Sequence, residues 1–228
     1  MLSLLNLLQL ASPSFPLGAY SYSEGLETLI EGGTLDRASD LRKWLETELQ
    51  DGSIVLETAV MTRGYRCCQS GDLSGLAYWN DWLSASRETA ELRQQSWQMG
   101  NSLMRLLRDL GDNSPALPNV TECAGTIDGD CNLAIAYGIA AAHWQISLKD
   151  AILAYLYSWA TNLIGAGVKL VPLGQTAGQQ LTRQLQPAIL AAIDRILERS
   201  DDDLACCSWG LTLASMQHET LYTRLFRS

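Results

Sequence analysis

One stretch decides most of what this chain can become: Ala151 to Val168 runs eighteen residues without a charged side chain. That length reaches the lower limit for crossing a bilayer, roughly 17–25 residues. Ser158, Thr161, Asn162, Gly165 and Gly167 dilute the apolarity that insertion demands, and Lys169 and Pro172 close the run. The reading is therefore a buried core helix rather than a membrane span. A helix apolar on every side needs other helices to surround it.

The segment upstream supplies a close neighbour. Between Cys131 and Ala142 stand Ala134, Ala136, Gly138, Ala140, Ala141 and Ala142, side chains small enough to admit helices at short interaxial distance. Amphipathic stripes provide the outer helices. Leu41, Trp44, Leu45 and Leu49 recur at helical spacing. So do Leu92, Met99, Leu103, Leu106, Leu107 and Leu110, ended by Gly111 as a C-cap, with Ser96 and Gly100 beside them. Ile189, Ile193, Ile196 and Leu197 form a third stripe, with Pro187 placed for a first turn.

Ser21 with Glu24, and Ser147 with Asp150, have capping-box spacing. Asp51-Gly52, Gly71-Asp72 and Gly32-Gly33 punctuate the helices. Gly111 to Asp130, holding Pro115, Pro118, Gly125 and Gly129, reads as a long loop around one short helix. Alternation long enough for a sheet is absent. The expected fold is all-α: one helical bundle over residues 1–228, with about eight to ten helices and a C-terminal tail over 211–228.

Charge and cysteine usage narrow the function. Lys and Arg number 16 against 25 Asp and Glu, a net charge of -9, which argues against nucleic acid and anionic membrane partners. Charged residues are only 18% of a chain that is 47% hydrophobic, so part of the surface is expected to be reserved for partners. Six cysteines without a Cys-x-x-Cys fit neither a disulfide scaffold nor a zinc ribbon. Met1 to Leu10 carries no charge and lacks a basic n-region. A reduced, cytoplasmic protein is expected.

The inventory of reactive groups is poor. Only His143 and His218 are present, and no His-Glu-x-x-His, Gly-x-Ser-x-Gly or phosphate loop occurs. Gly174 to Gly178 lacks the lysine a nucleotide phosphate loop uses. His143, between alanines and Trp144, reads as a buried structural histidine, and His218 as a solvated one near the end of the chain. No metal or cofactor ligand set is assigned. The rival reading is a small helical enzyme using Cys206 or Cys207 with His218, but Asp201, Asp202 and Asp203 would raise a nearby thiol pKa.

Two regions look wrong for a plain core. Ser12 to Ser23 combines Pro13, Pro16, Gly18 and the aromatics Phe15, Tyr20 and Tyr22 in an uncharged loop. Thr212 to Ser228 carries Leu213, Met216, Leu221, Tyr222, Leu225 and Phe226 with Arg224 and Arg227, which suits a segment that orders on a partner.

These stretches also resemble the urease accessory protein F family. The resemblance rests on Ser12 to Glu27, on Lys169 to Gln179 (with Leu170-Val171-Pro172-Leu173-Gly174-Gln175), and on Ser215 to Ser228. It implies an all-helical, dimeric, non-catalytic maturation factor that joins the accessory protein called D or H. Together they would recruit the GTPase accessory protein G for GTP-dependent nickel insertion into apo-urease. The resemblance places Phe15, Pro16, Gly18, Tyr20, Ser21, Ser23 and Gln175 on the GTPase side. It places His218, Glu219, Tyr222, Arg224, Phe226 and Arg227 on the D/H side. Tyr22 stands where relatives often carry histidine, so no nickel is placed at that loop; Gln217 replaces a frequent basic residue.

Overall fold

The computed structural model describes residues 1–111, 117–171, 173–206 and 208–228; Pro115, Pro172 and Cys207 lie outside them. Eleven α-helices occur among the described residues, one more than the upper expectation, and no strand. They are α1 (Leu2–Leu10), α2 (Leu26–Glu31), α3 (Ala38–Asp51), α4 (Ser53–Ser70), α5 (Leu73–Ser86) and α6 (Ala90–Leu110). α7 (Val120–Thr126), α8 (Leu133–His143), α9 (Leu148–Leu170), α10 (Gln175–Glu198) and α11 (Trp209–His218) follow, with 3-10 turns at Ala19–Ser21 and Asp201–Asp203.

Small side chains set the centre. Every residue of α8 from Ala134 to His143 is buried, with α4 and α6 packed along it. A Cβ on Gly138 would stand 2.7 Å from both the Met61 carbonyl oxygen and the Tyr65 nitrogen of α4, so only glycine permits this crossing. Gly100 does the same where α6 meets the start of α8: a Cβ there would collide with the Cys131 carbonyl, and Ser96 accepts the Leu133 N–H at 3.2 Å.

α9 packs on α10, α4 and α8, and α1 lies across it. It alone among the described helices is long and apolar enough to cross a bilayer, and more than half of its most apolar window is buried in the protein. That agrees with the core reading. The stripe of α3 buries Leu41, Leu45 and Leu49, and that of α6 buries Leu92, Met99, Leu103 and Leu107. Leu110, at the end of α6, is exposed, and Gly111 closes the helix in the left-handed region at φ 67°.

Local signals held unevenly. Ser147 caps α9 through the Asp150 N–H, but the complete capping box is Asn119 with Glu122, which starts α7. The Ser21–Glu24 pair caps nothing: α2 begins after Gly25 at φ 76°, and Glu24 itself sits at φ 52° with its side chain turned inward. Pro187 lies in the interior of α10 rather than in a first turn. Residue 187 is exposed, so water can satisfy the carbonyl that proline leaves without a donor.

Candidate functional site

Beginning from the N-terminal loop, the three aromatics have three different fates. Phe15 meets the Trp144 ring edge-on at 6.1 Å and is half-buried. Tyr22 is buried and donates to Gln98 Oε1 at 2.5 Å. Only Tyr20, on the 3-10 turn opened by Gly18 at φ 76°, is largely exposed, at 71%. Pro16 is exposed, Ser21 half-buried and Ser23 fully buried. The expected apolar tip is thus one ring wide.

The tail is docked on its own body. α11 ends at His218, which is 0% exposed rather than solvated. Its Nδ1 lies 2.8 Å from Glu91 Oε2 and its Nε2 3.2 Å from Glu27 Oε2. A ring protonated on both nitrogens donates to both carboxylates. Glu27 also accepts the N–H groups of Leu225 at 2.7 Å and Phe226 at 3.0 Å. Arg224 donates to Glu91 at 2.8 Å. Phe226 is buried, with Lys169 5.4 Å from its ring centroid. Each hydrogen bond involving a charged partner contributes about 1.5–3 kcal/mol.

Loop and tail are also stitched to each other. Ser23 donates to the Ser228 main-chain oxygen from both its N–H and its hydroxyl, each at 2.7 Å. Arg227 N–H donates to the Ser21 carbonyl at 2.8 Å, and the Ser228 hydroxyl donates to Gln95 at 2.5 Å. Gly25 marks where α2 meets α11: a Cβ there would lie 3.0 Å from the Ala214 Cβ. Around these buried anchors, Tyr222 is fully exposed and Leu225 64% exposed, with Glu219, Arg227 and Tyr20 also outward. Gln175 opens α10 on the surface and hydrogen-bonds to neither segment among the described residues. Glu27 and Glu91, which organise the tail, were not singled out in the sequence. Glu27 closes the first stretch that carries the family resemblance, yet nothing in that stretch assigns it a role in holding the tail.

Beneath the loop lies a cavity of about 440 Å³ between residues 10–20, the start of α4, α6 and α9. Its floor is charged. Glu24 accepts from Trp159 Nε1 and from Gln95 Nε2, both at 2.9 Å. Arg87 pairs with Glu57 at 2.5 Å, and Tyr155 donates to Glu57 at 2.8 Å. Burial raises the Glu24 carboxyl pKa. Burial opposes the charge on Arg87, but Glu57 beside it outweighs that and holds its pKa above the ordinary value.

Cys206, the described member of the candidate pair, does not form a nucleophilic site; Cys207 lies outside the described residues. Burial, with Glu88 and Glu48 nearby, pushes the Cys206 thiol up to about 11, and its sulfur points to Glu88 at 3.8 Å. His218, the intended base, is committed to Glu27 and Glu91. The acids that raise the Cys206 thiol are Glu88 and Glu48, rather than Asp201 to Asp203; Asp201 instead pairs with Arg63 at 2.9 Å. In the core, the neighbouring Cys68 and then His143 hold the Cys123 thiol pKa below its ordinary value.

Comparison with known proteins identifies a family. The model of the UreF family matches residues 35–186. A protein of a Nostoc species is 60% identical over 224 residues, covering 98% of this chain and 95% of its own length; it is named urease accessory protein UreF. A protein of the same name from Trichormus variabilis is 59% identical over the same shares. Another from Microcystis aeruginosa is 57% identical over 99% of this chain and 97% of its own length. With likeness of this extent along an all-helical chain, the protein belongs to the UreF family of urease accessory proteins.

Proposed function

We propose that the chain is a non-catalytic, cytoplasmic scaffold that acts as a homodimer. It joins the D/H accessory protein, recruits the GTPase accessory protein G, and presents both to apo-urease for GTP-dependent nickel insertion. The observation that carries this reading is the stitched loop and tail: buried anchors hold Tyr20, Tyr222 and Leu225 outward on two hydrogen-bonded segments. Exposed aromatics over a rigid base lose little entropy on binding and make strong interface anchors. The tail carries the D/H contact and the loop the GTPase contact. Burial and the nearby acids push the one described candidate thiol, Cys206, up to about 11, which disfavours the rival cysteine-enzyme reading.

Surface variants test this more cleanly than truncation. Removing about fifteen residues, the usual probe of an exposed terminus, would here also delete Ala214, Ser215 and His218, which are buried. Tyr222→Ala with Leu225→Ala leaves the anchors in place. Co-purification with D/H is expected to fall at least ~10-fold with the melting temperature unchanged. Tyr20→Ala is expected to lose the GTPase while keeping D/H. An unaltered complex in both variants would overturn the assignment of these surfaces.

A further inference from the structure

Three side chains from three helices converge in the core without a role in the docking face. Cys68 lies in the last turns of α4, Cys123 in α7 and His143 at the end of α8. One sulfur or nitrogen donor from each lies within 4.8 Å of the others. All three are buried, at 1%, 0% and 6%. Cys123 lies against both the Cys68 sulfur and the His143 ring. The cluster thus has sulfur beside sulfur and imidazole beside sulfur, which is the contact set a metal ion would replace.

We propose that Cys68, Cys123 and His143 form a binding site for one thiophilic d10 cation, Zn2+ or Cu+. Two thiolates and an imidazole are soft to borderline donors that select these ions over Mg2+ or Ca2+. Tetrahedral zinc with Zn–S bonds near 2.3 Å sets its sulfurs about 3.8 Å apart, inside the observed spread of donor atoms. Binding deprotonates whichever thiols are still protonated and releases those protons to solvent, and two thiolates on Zn2+ leave the buried site neutral. α7 is only seven residues long and reaches the core mainly through Val120 and Cys123. An ion would therefore fasten it to α4 and α8.

The test uses the full chain, stripped with a chelator and kept reduced with a phosphine. Zn2+ in one arm, and Cu+ under anaerobic conditions in the other, are titrated against a chromogenic competitor. The expected result is one equivalent bound by the unaltered protein in at least one arm. Cys68→Ser, Cys123→Ser and His143→Gln should each bind at least ~10-fold more weakly. Co2+ loading of the unaltered chain should give a near-ultraviolet thiolate-to-metal band, a readout that stands even where a variant misfolds. Equal affinity in protein and variants, or Co2+ uptake without that band, would overturn the site. So would loss of two titratable thiols to dissolved oxygen in a phosphine-free sample that takes up no metal, which would assign Cys68 and Cys123 to a disulfide. Binding of Ni2+ in preference to both d10 ions would overturn the choice of ion.

Discussion

Glu48 shows how one buried carboxyl ties stability to pH. It sits near the end of α3, where its Oε2 accepts the Ser53 N–H at 3.2 Å and the Ser208 hydroxyl at 3.3 Å. Burial, then the charge of Glu24, push its pKa from 4.5 up to about 7 despite those two bonds. A carboxyl raised on folding stabilises the protein fully below its unfolded value and loses that contribution as pH climbs through the folded one. Glu48→Gln should therefore raise the melting temperature at pH 8, by the equivalent of about 1–3 kcal/mol, and leave it nearly unchanged at pH 4.5. Thermal melts at the two pH values check this, and an equal effect at both would refute it. His218→Ala is expected to act oppositely. It removes one partner each from Glu27 and Glu91, which keep the Leu225 and Phe226 N–H groups and Arg224, costs about 1–3 kcal/mol, and loosens the tail to protease at Arg224 and Arg227. None of these buried charges was legible in the sequence, because an acid's local spacing does not reveal which distant donor it will meet.

At the level of helices, glycine decides the central crossing. Gly138→Ala is expected to push α8 off α4, since its new methyl would meet main-chain atoms that cannot rotate away. A loss of about 1–3 kcal/mol by denaturant titration is expected. A Gly165→Ala control, where nothing lies within 4 Å, should not destabilise. This is also the level at which sequence reading succeeded. Small residues from Cys131 to Ala142 and the uncharged run after Ser147 predicted a buried hub, because side-chain size and charge act wherever the helix ends up. Ends were read less well. Ser21–Glu24 has capping spacing, yet Gly25 at positive φ starts α2, and Pro187 suits a first turn yet lies mid-helix. Such outcomes depend on tertiary packing, which overrides weak local preference.

For the whole molecule, the N-terminal loop and the C-terminal tail meet as neighbours, a juxtaposition that no local pattern could announce across some two hundred residues. The tail's wealth of apolar side chains was visible, but not their division of labour. Phe226 faces inward as a plug, while Tyr222 and Leu225 stay outside. The Tyr222→Ala and Leu225→Ala double variant should likewise depress urease activation in a host that supplies the other maturation proteins, while the helical signal of the purified chain stays intact. Normal activation would place the functional contacts elsewhere on the surface.

Because Ser23 spends both of its donors on Ser228, the two segments cannot be displaced independently. A ligand that lifts the tail must strip the loop of its main-chain partners, and one that reshapes the loop must loosen the tail. Thermodynamic reciprocity then requires that each visitor alter the other's affinity by the same factor. The order in which two visitors arrive would leave the final assembly's free energy untouched, while setting which half-built complex accumulates on the way.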